Sequence, residues 1–93
     1  IGPESYEVGP DFRRTFLAQD ADCAPFFHAT ERYALAFDLP AYALERLRRA
    51  GVTQADWIGA DTYADPELFF SNRRALHQGE PDFGRLLSAI ALA

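Results

Sequence analysis

The chain has no lysine, and all nine of its basic residues are arginine. A Schiff-base lysine, a phosphate-loop lysine and a lysine general base are therefore excluded within these residues. Any anion must be met by guanidinium groups, which stay charged and bind carboxylates and phosphates in a bidentate way, or by backbone N–H groups. Methionine is absent as well and Ile1 comes first, so the 93 residues are expected to be a trimmed or processed piece of a longer protein. A single cysteine, Cys23, gives no disulfide framework. No apolar run approaches the length of a membrane span and no signal-peptide pattern is visible, so no membrane partner is expected and the cytoplasm is the expected location. Positive charge is in short supply: the net charge of −5 argues against a nucleic-acid or anionic-membrane surface.

What is present is the composition of a folded domain. Hydrophobic residues make up 48% and charged residues 25%, which excludes a disordered chain. The length fits one domain, and a domain of this size is marginal alone because it buries only about 60% of its unfolded surface. Tyr6 to Val8 reads as a short strand. Gly9-Pro10 opens a helix with Pro10 in its first turn, and Phe12 and Phe16, one turn apart, give it an apolar face. Asp20 to Pro25 reads as a loop. Tyr33, Leu35 and Phe37 alternate with Ala34 and Ala36, which predicts a strand. Asp38 and Pro40 open a second helix with Leu44 and Leu47, Ala43 and Ala50 as its buried stripe. Arg46, Arg48 and Arg49 lie near its C-terminal end, where they favour the dipole, and Gly51 ends it. Trp57 and Ile58 mark a third strand, Asp65-Pro66 begins a helical turn through Phe69, and a polar loop runs from about Ala75 to Asp82. Leu86 to Leu92, apolar on both faces, predicts a central strand. The order β-α-β-α-β-turn-β describes an α+β fold whose last strand lacks neighbours, so part of the sheet is expected to be missing.

Several segments, taken in order, resemble one family: Ile1-Gly2-Pro3 with Tyr6-Glu7-Val8-Gly9; Phe37-Asp38-Leu39 before an Ala/Arg/Leu helix; Thr62-Tyr63; Phe69-Phe70-Ser71-Asn72-Arg73-Arg74; and Gly84-Arg85-Leu86-Leu87-Ser88-Ala89-Ile90. They are similar to the laccase-domain (YfiH-like) family, which has been called multicopper polyphenol oxidase and also purine nucleoside phosphorylase with adenosine deaminase activity. The resemblance spans essentially all 93 residues and implies that residues 1–93 are the C-terminal part, roughly the last third, of such a domain, a fragment of a multilayer α/β/β/α sandwich. It implies a parent enzyme that acts on purine nucleoside and phosphate with zinc or copper held by two histidines and a cysteine. Those ligands are expected N-terminal to Ile1, so no catalytic residue and no bound metal is expected in this chain, and the missing N-terminal part or a second copy is the expected partner. The chain departs from the family pattern where many members have Cys-Thr-Tyr and this one has Asp61-Thr62-Tyr63, and where many have Ser-Tyr-Arg-Arg and this one has Asn72.

Ala21-Asp22-Cys23-Ala24-Pro25 matches the family's catalytic cysteine segment by letters but stands after the Ile-Gly-Pro motif rather than before it, so Cys23 reads as a small apolar residue. A zinc site from Cys23, His28 and His77 lacks ligand-pair spacing, and both histidines are expected to be exposed. Arg73, Arg74 and Arg85, with the Ser71 hydroxyl, are the candidates for substrate or phosphate, because phosphorolysis needs cationic donors on phosphate. The alternative is that the arginines pair with Asp61, Asp65 or Glu67 to hold a loop. Glu7 is a candidate acid/base or supporting residue, with a solvent-facing strand position as the alternative, and Phe69-Phe70 reads either as core or as a purine stack. A non-catalytic remnant or interaction module that keeps the fold without the chemistry is the second functional reading.

Overall fold

The computed structural model describes residues 1–91. Helix α1 spans Pro10–Gln19, a 3-10 turn spans Ala21–Phe26, strands β1 and β2 are Phe27–His28 and Ala36–Phe37, helix α2 spans Leu39–Arg49 and helix α3 spans Asn72–His77. The chain is therefore mixed α+β. β1 and β2 pair antiparallel, with Phe27 opposite Phe37 and His28 opposite Ala36. The predicted first strand is present as a single antiparallel bridge from Glu7 to Ala36. The Val8 amide donates to Leu35 O at 3.2 Å, and the Phe37 amide donates to Tyr6 O at 2.9 Å.

Aromatic rings fill the space between these elements. Phe12 and Phe16 do share one face of α1, their centroids 4.8 Å apart. Phe37, 1% exposed, lies 5.1 Å from Phe16, 4.8 Å from Phe27 and 5.4 Å from Tyr42. Such tilted and edge-on pairs suit the ring quadrupole and add to the area they bury. Helix α2 therefore packs through Tyr42 more than through the predicted stripe; Ala43 and Ala50 are exposed, and Leu47 is 43% exposed. Its start is as read: the Asp38 carboxylate accepts from the Ala41 amide at 3.0 Å and Pro40 sits in its first turn. Gly51 follows its end with φ +95°, the left-handed geometry a side chain resists. Arg49 ties α2 to the end of α1 by donating to Asp20 at 2.6 Å, and Arg48 and Arg49 both bond Glu45, whose carboxyl these partners, Arg48 first, pull down to about 2.

The later chain departs from expectation. Trp57 and Ile58 form no strand or bridge with any described residue, and Ile58 is 90% exposed. Residues 86 to 91 form no strand either, and Leu92 lies outside the described residues. A strand needs a partner for its ladder, and among the described residues none lies beside these segments. The stretch read as a loop at Asp20 to Pro25 is largely the 3-10 turn, capped by Asp20, whose carboxylate accepts from the Asp22 amide at 3.0 Å. The predicted loop from Ala75 includes the end of α3, whose N-cap Ser71 accepts from the Arg74 amide at 3.2 Å. No helix among the described residues is long and apolar enough to cross a membrane.

Candidate anion cleft

Helix α3 sets the candidate arginines. Ser71 caps it, Arg73 and Arg74 follow in its first turn, and 3.6 residues per turn sends the two side chains to different sides. Arg73 lies over the Tyr6 ring, 5.1 Å from the centroid, and its Nη1 donates to Glu7 O at 2.7 Å. This cation–π contact and the carbonyl bond hold one side of the guanidinium, leaving other N–H groups toward a cleft. Arg85 lines the same cleft: it covers the Phe83 ring at 4.4 Å, donates to Phe83 O at 3.1 Å and lies 3.6 Å from the Asp82 carboxylate. With both partners well exposed, that ion pair contributes little and leaves Arg85 free to meet a ligand.

The cleft between them measures about 470 Å³, and Tyr6, Phe70, Ser71, Arg73, Phe83 and Arg85 are among the residues that line it. No aspartate or glutamate does, although Asp82 pairs with Arg85 from beside it, so in a chain of net charge −5 the charged side chains on these walls are two arginines. Phe70 covers Gly84 closely enough that a Cβ there would overlap its ring. Phe70 is thus neither pure core nor free: it is 55% exposed and forms a wall of the cleft.

Arg74 points the other way. Its Nη1 donates to Thr62 O at 2.6 Å and to Tyr63 O at 3.1 Å, and its Nη2 donates to Phe69 O at 2.7 Å. Among the described residues neither Arg73 nor Arg74 makes an ion pair with Asp61, Asp65 or Glu67; both hold backbone carbonyls instead. The side chain of Glu7 is exposed and lines a neighbouring hollow with Gly9, Pro10 and Phe12, while its carbonyl supports Arg73.

Sequence reasoning missed the role of Asp61. Its Oδ1 accepts from the Tyr63 and Ala64 amides at 2.9 and 3.3 Å, and its Oδ2 accepts from the Ser5 hydroxyl at 2.5 Å. Partial burial works to raise this carboxyl, but the bonds from Ser5, Gly2, Tyr63 and Ala64 together hold it below its usual value. The signal was available: an aspartate whose side chain bonds the amides two and three residues on is an Asx turn.

Cys23 is fully buried, and burial pushes its thiol up, with the Asp20 charge adding to the effect. It is a packing residue, not a nucleophile. His28 is half-buried rather than exposed, and its Nε2 has no hydrogen-bond partner among the described residues. His77 is exposed, and its Nδ1 lies 2.7 Å from the Tyr63 hydroxyl. Among the described residues no three His, Cys, Asp or Glu side chains cluster as a metal site.

Known proteins carry the same pattern of segments. The family described as multi-copper polyphenol oxidoreductase laccase matches residues 1–93. A purine nucleoside phosphorylase of Rickettsia conorii is 38% identical over 93 residues, covering 99% of this chain and 39% of its own length. One of Xylella fastidiosa is 39% identical over 80 residues, 84% of this chain and 31% of its own. The purine nucleoside phosphorylase YfiH of Escherichia coli is 38% identical over 95 residues, 99% of this chain and 35% of its own. The chain thus spans well under half the length of these relatives. A match along every described element places it among them: the chain belongs to the multi-copper polyphenol oxidoreductase laccase family.

Proposed function

We propose that this chain is the C-terminal part of an enzyme that cleaves purine nucleosides with phosphate, and that the cleft between Arg73 and Arg85 is its contribution to phosphate binding. The observation that carries the reading is a hollow with two arginines and no carboxylate in an acidic protein. Three relatives named as purine nucleoside phosphorylases supply the reaction class. In that reaction a phosphate oxygen forms a bond to the anomeric carbon as the carbon–nitrogen bond breaks. The electron pair leaves with the purine, which takes up a proton, and the products are the free base and ribose 1-phosphate.

Arg73 and Arg85 would hold phosphate oxygens by charge-assisted N–H bonds, and the Ser71 hydroxyl adds a donor on the same wall. Glu7 serves Arg73 through its carbonyl, and Arg74 shapes the loop behind. The family description names copper, and the parent would use copper or zinc; adenosine deamination would be a second reaction of the same site. The residues of this chain do not fit a metal, since no ligand cluster forms among those described. The ligands are assigned to the rest of the longer protein, and no step here is routed through them.

The same reading completes the sheet. The unpaired segments around Trp57-Ile58 and Leu86–Ile90 would add to strands of the remaining part, in the multilayer sandwich of the family, within the cytoplasm. Ile58, Leu87 and Ile90, 90%, 92% and 100% exposed, are the side chains such strands would cover.

The test compares the 93-residue chain with a longer form that includes the preceding region. Inosine and phosphate are supplied, and hypoxanthine release and bound metal are measured. The longer form should turn over and hold metal, and Arg73→Ala or Arg85→Ala in it should raise KM for phosphate about tenfold or more with KM for inosine little changed. Turnover by the 93 residues alone, or equal effects on both substrates, would reject the assignment.

A further inference from the structure

The loop from Asp61 to Ser71 has no helix or strand, yet its polar backbone is matched from two sides. At its start the Asp61 carboxylate takes the Tyr63 and Ala64 amides. Behind it the Arg74 guanidinium takes three carbonyls, Thr62, Tyr63 and Phe69. Two side chains of opposite charge thus do for this loop what a ladder does for a strand, one through its N–H groups and one through its C=O groups. The rigid fork of arginine matters here, because a single ammonium nitrogen does not reach carbonyls spread over eight residues with the same fixed geometry. The loop runs on into Phe70, which lies against Gly84, and then into Ser71 and Arg73, all of them on the cleft. Arg74 itself lines a different hollow, with Ser5, Arg32 and Gln78.

We propose that Arg74 is a positioning residue, assisted by Asp61: it touches no ligand, but fixes Thr62, Phe70 and Arg73 as one wall of the cleft. The inference rests on the phosphate reading above for its ligand, and on the loop geometry alone for its shape. Removing the fork frees the Phe69 carbonyl, lets Phe70 leave Gly84 and releases the wall that Arg73 belongs to.

Arg74→Lys and Arg74→Ala are made in the longer form that includes the preceding region, and two quantities are read by NMR. One is the shift of the Gly84 α-protons, which the Phe70 ring displaces upfield. The other is the affinity for inorganic phosphate, followed on the Arg73 and Arg85 Nε–Hε signals. Signals of the aromatic cluster around Phe37 show that each variant is folded. In both variants the Gly84 shift should return toward unstructured values and phosphate affinity should fall about tenfold. An unchanged Gly84 shift in a folded variant overturns the proposal, and so does a collapsed shift with unchanged phosphate affinity. If the unsubstituted longer form binds no phosphate, the phosphate reading falls, and the Gly84 and Arg73 shifts alone decide for or against the positioning role. Should both Arg74 variants fail to fold, Asp61→Asn loosens the other end of the same loop and must move the same two signals.

Discussion

Residues 6 to 49 and residues 52 to 91 are built on different physics. The first stretch buries rings: Phe12, Phe16, Phe27, Phe37 and Tyr42 contact one another across two helices and a pair of short strands. The second buries little. Ala75 is its only buried residue among those described, and Trp57, Ile58, Leu68, Leu87 and Ile90 stand in water. Its order comes from side chains that reach the backbone, Asp61 and Arg74 above all. One half is held by area and the other by a few directional bonds, so the two should respond differently to the same kinds of damage.

The largest difference is expected in the core. Phe37→Ala should destabilise by about 3–5 kcal/mol, since the site is closed and a cavity remains. Against the total of about 5–15 kcal/mol for a native domain this is a large share, and urea titration followed by circular dichroism reads it. If Phe37→Ala costs no more than a surface change, the ring cluster does not hold the first half together.

Acid should separate the halves next. The Asp61 carboxyl sits below its usual value in the fold, so its contribution is full above the unfolded value of about 4 and is lost as pH falls through the lower folded value. Asp61→Asn should remove about 1 kcal/mol at neutral pH and flatten that part of the acid limb. Helix α2 is attached chiefly through the ring contacts of Tyr42 with Phe16 and Phe37, while Glu45, pulled down to about 2, bonds only arginines of its own helix, so α2 should stay attached when the Asp61 loop has loosened. Amide exchange measured from pH 5 to about 2 would reveal the order; loss of α2 protection before that of Tyr63 and Ala64 would reverse this account.

Helix caps give a smaller and more even test. Asp38→Ala and Ser71→Ala each remove a side-chain bond to a first-turn amide, worth about 1 kcal/mol. Thermal melts should show similar losses, but only Ser71→Ala should disturb Gly84 and the cleft. Smallest of all, Ile58→Ser should change the stability of the 93 residues by less than about 0.5 kcal/mol, as expected of an exposed position. A larger loss would mean that Ile58 is covered in solution.

The sequence was most informative where local rules decide the outcome. The Phe12/Phe16 face, the Asp38–Pro40 helix start and the Gly51 stop each depend on neighbours within one or two turns, and all three are present. Strands were harder, because a ladder depends on what lies across it: Trp57-Ile58 and residues 86 to 91 have strand-like composition and no partner among the described residues. Ser71, Arg73 and Arg85 were legible as a group, and the structure brings them to one cleft. Arg74 was grouped with them, but its direction, which is set by the turn of α3, takes it to backbone carbonyls instead. The two-residue strand at Phe27 was missed because its alternation is too short to read.

Cys23 ends with a use of another kind. The thiol is single, wholly enclosed beside the ring cluster and held in its protonated form by its surroundings. Alkylating reagents act on the thiolate, so they can reach this sulfur only during the moments when the first half of the molecule opens. The rate of modification is therefore a clock on those openings, and the chain carries its own gauge of how often its aromatic half breathes.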